Sequence, residues 1–222
     1  GGADKVMTSV LTGEVEIGLA GPEACIYVLL EGRRDAPRVF AQLTQCDGSF
    51  IVGRQAEDFA WQNLRGKTIL GGRKGGMPEM TLEYVLKTNG LDIGVDDASK
   101  SVNVRTDIQF SAMAGAFVAG EGDYVSLFEP TATSLEKEGK GYIVASIGAQ
   151  SGSIPYTAYS ASKSYLSEQP EVIQHFTNAI YRGQQYVQTH SAEEIAQSIH
   201  PYFTEIEMDD LVVVVERYKS ID

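Results

Sequence analysis

The chain has 222 residues, 43% of them hydrophobic and 22% charged, which is the balance of an ordinary globular protein and enough for one large domain or two small lobes. Its formal charge of −12, with no basic stretch to neutralise phosphates, argues against a nucleic-acid partner. Its longest apolar runs, 24–30 and 211–215, fall far short of the roughly 20 residues that span a bilayer.

In chain order, the apolar spacing predicts helix over 3–11, strand over 16–20, helix over 23–31 and strand over 39–44. An extended piece follows at 49–53, then a short helical turn at 61–64 and a strand at 68–70. Helix is predicted over 78–89 and stops at Gly90, a residue suited to the left-handed backbone common at helix ends. Next come strand 101–104, helix 110–118, strand 124–127, helix 130–138 and strand 142–146. After an extended "GSIPYTAYSA" the chain turns helical, over 170–190, 192–199 and 208–218. This alternation predicts an α/β protein with a mainly parallel sheet. The two cysteines, Cys25 and Cys46, define no disulfide framework, and Cys25 reads as a buried small hydrophobe. The opening "GGADKVMTSVL" runs a glycine turn straight into a helix, so an upstream segment carrying any export signal is expected.

One pattern occurs twice. "LTGEVEIGLAGPEA" from Leu11 and "VAGEGDYVSLFEPTA" from Val118 each read as helix end, glycine and glutamate, an apolar strand, then a proline opening the next helix. Two lobes built on one repeated unit are the simplest interpretation.

Three junctions, "LAGPEA", "GGMPEM" and "LFEPTA", stand after a strand and before a helix. Proline at a first helical position is fully explained by its fixed φ and missing N–H, which covers Pro22, Pro78 and Pro130. The glycines Gly71, Gly72, Gly75 and Gly76 have two readings: a flexible turn with surface cations, or backbone amides at a positive helix end aimed at an anion, with Arg73 and Lys74 adding charge. No nucleotide-binding fingerprint is present. In open α/β sheets ligands settle at the carboxyl ends of strands, where all three junctions lie. Glu129 either complements the start of its own helix or accepts a ligand hydrogen. Phe110, Phe128, Tyr156 and Tyr159 are pocket walls or plain core.

Catalytic groupings are not found. His175, His190 and His200 have no metal-ligand spacing, and no GxSxG elbow occurs. Glu193-Glu194 and Asp209-Asp210 read as solvated helix faces.

The segments "GEVEIGLAGPEACIYVLLEGRRD", "NLRGKTILGGRKGGMPEMTLEYVLKTNGLD", "FVAGEGDYVSLFEPTATSLEKEGKGYIVAS" and "IPYTAYSASKSYLSEQPEVIQHFTNAIYRGQQYV" resemble, in order and spacing, the substrate-binding proteins of ABC importers in the nitrate, sulfonate, taurine and thiamine-precursor group, called NMT1/THI5-like or SsuA-like. The resemblance implies an α/β, two-lobed periplasmic-binding-protein type II (Venus flytrap) fold with a cleft between lobes. Lobe 1 would comprise 1–47 and 154–222 and lacks the family's usual first strand and helix; lobe 2 would be 48–153, with crossings near 47–53 and 148–156. It also implies a monomeric, extracytoplasmic solute-binding protein, periplasmic or a membrane-anchored lipoprotein, without cofactor, metal or catalytic residue. Its partners would be an ABC permease and a small polar, anionic ligand. Carried over position by position, the ligand-binding residues would be Ala20, Gly21, Glu23, Thr44, Gln45, Arg73, Gly75, Gly76, Met77, Phe110, Phe128, Glu129 and Tyr156. Two other readings are the effector domain of a transcription regulator, which would need a helix-turn-helix upstream, and a pyrimidine-precursor synthase-like enzyme, whose cysteine-rich segment has no counterpart here.

Overall fold

A computed structural model describes residues 2–221. In chain order its elements are α1 (Ala3–Thr12), β1 (Ile17–Ala20), α2 (Glu23–Leu30), β2 (Arg38–Thr44), β3 (Ser49–Gly53), β4 (Lys67–Leu70), α3 (Met77–Thr88), β5 (Ile93–Val95), β6 (Val102–Arg105), α4 (Met113–Val118), β7 (Tyr124–Phe128), α5 (Thr131–Lys137), β8 (Tyr142–Ser146), α6 (Ile147–Ser151), β9 (Thr157–Ala161), α7 (Lys163–Glu168), α8 (Pro170–Thr189), α9 (Ala192–Ile199) and α10 (Met208–Lys219). Single 3-10 turns occupy Trp61–Leu64, Phe110–Ala112 and His200–Tyr202. The repeated pattern is structural: α1-β1-α2 and α4-β7-α5 share one course, and the glycines Gly13 (φ 73°) and Gly120 (φ 105°) occupy matching left-handed turns.

The chain divides into two compact units, Gly1–Gln45 with Ile154–Ser191, and Cys46–Ser153 with Ala192–Asp222. The sequence reading places 192–222 with the first unit; the structure puts it in the second. The reason is specific. Leu211, Val214 and Val215 of α10 are buried, Lys137 of α5 pairs with Asp210 at 2.6 Å, and Arg217 and Tyr218 bind the β7–α5 turn. Asp210 is thus an ion-pair partner rather than part of a solvated face.

The first unit holds a three-stranded sheet of order β1-β9-β2, with β9 antiparallel to both neighbours. The expectation of a mainly parallel sheet therefore fails here. Gly18 lets α1 lie directly on β1, since a Cβ there would meet Val6 at 2.8 Å and Val10 at 2.9 Å. Met7, Ala24, Cys25, Val28 and Ala36 form the core between α1 and α2. Burial pushes the Cys25 thiol above its usual pKa, as befits a packed hydrophobe. On α8, Phe176 sets its ring against Phe40 and Tyr159, centroids 5.9 and 4.8 Å apart, so half-buried Tyr159 serves to pack α8 on the sheet.

The second unit holds a six-stranded sheet of order β5-β6-β4-β7-β3-β8. β5, β6, β4 and β7 run parallel, and β3 runs antiparallel to β7 and β8. Successive residues on one strand go to opposite faces. Ile51, Ile69 and Tyr124 enter one core with Leu82, Val85 and Leu86 of α3, while Val52, Leu70 and Val125 enter another with Met113 and Phe117 of α4 and Ala132 and Leu135 of α5. A sheet buried on both faces reads as continuous apolar strands, which is why β3 and β7 were legible as strands without alternation. Sequence reading omitted β5, α6 and α7. Three and five residues are too few for a periodic signal, and α7 is set by a cap, Ser162 Oγ accepting from Tyr165 N at 3.1 Å.

Candidate functional site

In the second unit, the neighbouring parallel strands β4 and β7 send their crossovers in opposite directions, α3 toward β5 and α5 toward β8. Such a switch point leaves a crevice at the carboxyl ends of the strands. The loop Gly71–Gly76 follows β4, Phe110 follows β6, and Phe128 ends β7, so three of the sequence-predicted positions meet there.

Each glycine in that loop has its own reason. A Cβ on Gly71 would lie 2.5 Å from Val104 Cγ1, so only glycine lets the loop leave β4 against β6. Gly72 is left-handed, φ 89°, and lies against Phe110 and Met113, both 3.8 Å from where its Cβ would be. The Phe110 and Phe128 rings pack at 5.5 Å, tilted 49°, and Phe110 remains 45% exposed. Arg73 and Lys74 are exposed, and the Arg73 guanidinium folds back over Gly76, whose Cβ would come within 3.4 Å of Nη2. Met77, half-buried, opens α3.

Two corrections concern this loop and its neighbour. The amides of Gly75 and Gly76 are not open to a ligand: Gly75 N–H donates to Glu79 Oε2 at 2.9 Å and Gly76 N–H to Arg73 O at 3.1 Å. An internal carboxylate already sits at the anion-favouring start of α3. Glu129 is likewise not a ligand acceptor. Its side chain is wholly buried, accepts from Thr133 N and Thr133 Oγ1 at 2.9 Å each, and is paired with Arg217 Nη1. Its own N–H donates to Tyr218 Oη at 3.1 Å, and burial raises that phenol to about 12. Of the two readings of Glu129, complementing its own helix is the one the structure supports.

In the first unit, β1 and β2 run in the same direction on either side of β9, so Ala20, Gly21, Thr44 and Gln45 share one end of that sheet with Tyr156, which precedes β9. Thr44 is engaged with β9: its Oγ1 lies 2.5 Å from Thr157 Oγ1, and its carbonyl accepts from Tyr156 N at 3.2 Å. Gln45 O accepts from Ile154 N at 2.7 Å. Glu23, in the first turn of α2, and Tyr156 are both buried.

Sequence reasoning missed Arg217, Tyr218 and the Glu79–Glu83 pair. The last was legible as acids one turn apart in "PEMTLE". Nothing local marks Arg217, since its partner Glu129 is 88 residues away.

The model of the NMT1-like family matches residues 2–200. "Putative binding protein YtlA" of Bacillus subtilis (strain 168) is 46% identical over 220 residues, 99% of this chain; the chain spans 64% of that protein's length. Among solved structures, the alkanesulfonate-binding protein SsuA from Xanthomonas axonopodis pv. citri, bound to MOPS, has a TM-score of 0.74 at 16% identity, covering 97% of this chain and 70% of that one. The periplasmic aliphatic sulphonate binding protein SsuA from Escherichia coli has a TM-score of 0.75 at 14% identity, with the same coverage. At such identities these likenesses concern the fold, which is that of periplasmic binding proteins. The match over nine-tenths of its length carries more: the chain belongs to the NMT1-like family.

Proposed function

We propose that this chain is the solute-binding component of an ABC importer, binding without chemical conversion a small polar, anionic molecule of the sulfonate, nitrate, taurine or pyrimidine-precursor class. It would work outside the cytoplasm, in the periplasm or as a membrane-anchored lipoprotein, as a monomer that hands its ligand to a permease. Family membership supports the binding role, and the fold likeness to a sulfonate-binding protein supports the ligand class. The observation that carries the reading is the switch point of the second unit. Exposed Arg73 and Lys74 follow directly on Gly72, which lies against the exposed ring of Phe110, itself packed on Phe128. That pairing fits an anionic head on a short apolar body, because most of a small-molecule site is apolar surface with a few placed polar groups. No covalent step is required, since a ligand that favours one conformation shifts the population toward it.

The test is a thermal midpoint measured against methanesulfonate, nitrate, taurine and a pyrimidine precursor. A ligand at a hundred times its Kd contributes about 2.7 kcal/mol, which for a chain of this size raises the midpoint by roughly 5–10 °C. Such a rise with one or more of the four is expected, and a midpoint unmoved by all four would sink the proposed ligand class.

A further inference from the structure

The first two turns of α3 hold a carboxyl pair that the binding proposal does not use. Glu79 is 2% exposed and Glu83 lies one helical turn further on. Glu79 Oε2 accepts from Gly75 N–H at 2.9 Å, while Oε1 is sealed from solvent with no N–H or hydroxyl donor. A carboxyl buried with one oxygen unpartnered and no cation bound to it is favoured in its protonated form. Glu83 is paired with Lys87 Nζ at 2.5 Å, so of the two acids it is the one that stays charged.

The electrostatics agree. Burial, then the Glu83 carboxyl, pushes Glu79 up to about 7, against the opposing pull of Gly75 N–H and Lys74. Burial acts the same way on Glu83, but Lys87, with Glu79 and Lys74, outweighs it and holds that group low. The charged groups around Glu79 are thus Glu83, Lys87 and Lys74, with Arg73 over Gly76. Of the elements packed against α3, β5 and α6 contain no ionisable residue, and the strands that share its core carry Lys67, Arg105 and Tyr124, which are engaged with Asp123, with Asp107 and Glu121, and with Glu57 respectively.

We propose that Glu79 is the positioning residue of the Gly71–Gly76 loop: it holds the loop through Gly75 N–H while it is protonated, and slackens it when it ionises beside the charged Glu83, so that an anion is taken up here together with a proton. The last clause rests on the function proposed above; the latch itself does not. Loss of the proton leaves two charges a turn apart in a dry site, and the cheapest relief is for Glu79 to swing toward water, withdrawing the acceptor of Gly75 N–H. An anion bound at Arg73 and Lys74 raises the proton affinity of Glu79, so by linkage the proton strengthens anion binding. The sign for stability follows from a folded pKa above the ordinary glutamate value of about 4.3. The native chain holds the extra proton between that value and about 7, so the contribution of the pair declines as pH rises through this window.

Amide NMR of the ligand-free chain from pH 5 to 9 tests the latch. The Gly75 amide is expected to shift sigmoidally with a midpoint near 7. In Glu79→Gln, which keeps a carbonyl for Gly75 N–H but has no proton to lose, it is expected to stay flat. A Gly75 amide without a sigmoid in the native chain, or one that persists in Glu79→Gln, overturns the proposal. Should that variant not fold, Glu83→Gln serves, since removing the second charge is expected to lower the Gly75 midpoint by one pH unit or more; an unmoved midpoint refutes the pair. Calorimetry with methanesulfonate forms the second arm: binding is expected to be about tenfold weaker at pH 8 than at pH 6, with proton uptake visible as a dependence on the buffer's ionisation heat. Binding independent of pH overturns the coupling. Absence of methanesulfonate binding at either pH refutes the uptake clause for a sulfonate, leaving the ligand class to the four-compound panel and the latch to stand or fall on the amide titration.

Discussion

Arg217→Met is expected to destabilise the second unit by about 3 kcal/mol, at the lower end of the cost of leaving a buried charge without its partner. The Glu129 side chain is completely inaccessible and receives three donors, of which only Arg217 carries a charge. Methionine keeps most of the aliphatic packing of Arg217 and removes the guanidinium, so the loss reports the charge. Thr133 still donates twice to the carboxylate, and Arg217 is 23% exposed, which together keep the cost below that of a deeper pair. Urea unfolding followed by tryptophan fluorescence measures it as a lower midpoint at unchanged slope. The exposed Lys137–Asp210 pair is the control: Lys137→Met is expected to cost at most about 1 kcal/mol. Equal effects of the two variants would remove Glu129 from the role assigned to it.

Gly148→Ala is expected to be as damaging, for a steric reason. A Cβ at 148 would fall inside the van der Waals shell of the Asp47 carbonyl oxygen, and 3.1 and 3.3 Å from the carbonyl carbon and nitrogen of the same residue. These are backbone atoms, and they cannot retreat easily. Asp47 and Ser49 are fully buried, and Asp47 Oδ1 accepts from Ser49 N at 2.7 Å and Ser49 Oγ at 2.5 Å, which fixes the turn into β3. Either α6 or that turn must shift, at a cost of about 3 kcal/mol or more. Gly183, in α8 with open space where its Cβ would be, is the comparison. Alanine there is expected to stabilise by about 0.5–1 kcal/mol through helix propensity. The thermal midpoints of the two variants should therefore move in opposite directions, and a harmless Gly148→Ala would contradict the packing described for α6.

What was legible in the sequence was local. Helix ends marked by Gly13 and Gly90, prolines opening helices at Pro78 and Pro130, and apolar strands 124–127 and 142–146 are set by neighbours within a turn or two, and they fell where expected. What was not legible depends on contacts across long separations. The antiparallel first sheet arises because β9, more than a hundred residues downstream of β2, inserts between β1 and β2. The placement of 192–222 depends on Arg217 and Tyr218 reaching the β7–α5 turn. The candidate site shows both sides. Turn chemistry brought Arg73, Phe110 and Phe128 to adjacent strand ends, yet it could not reveal that Glu79 occupies the Gly75 amide or that Arg217 occupies Glu129.

The central claim is that this chain is a reversible receptor for a small anionic molecule. Native mass spectrometry of the purified chain tests it most directly, recording first the protein alone and then the protein with the four-compound panel. The account predicts a single small-molecule adduct, either co-purified or formed from the panel, that leaves on mild collisional activation and on denaturation. A bare mass under every condition, or an adduct that survives denaturation as a covalent modification, would contradict it.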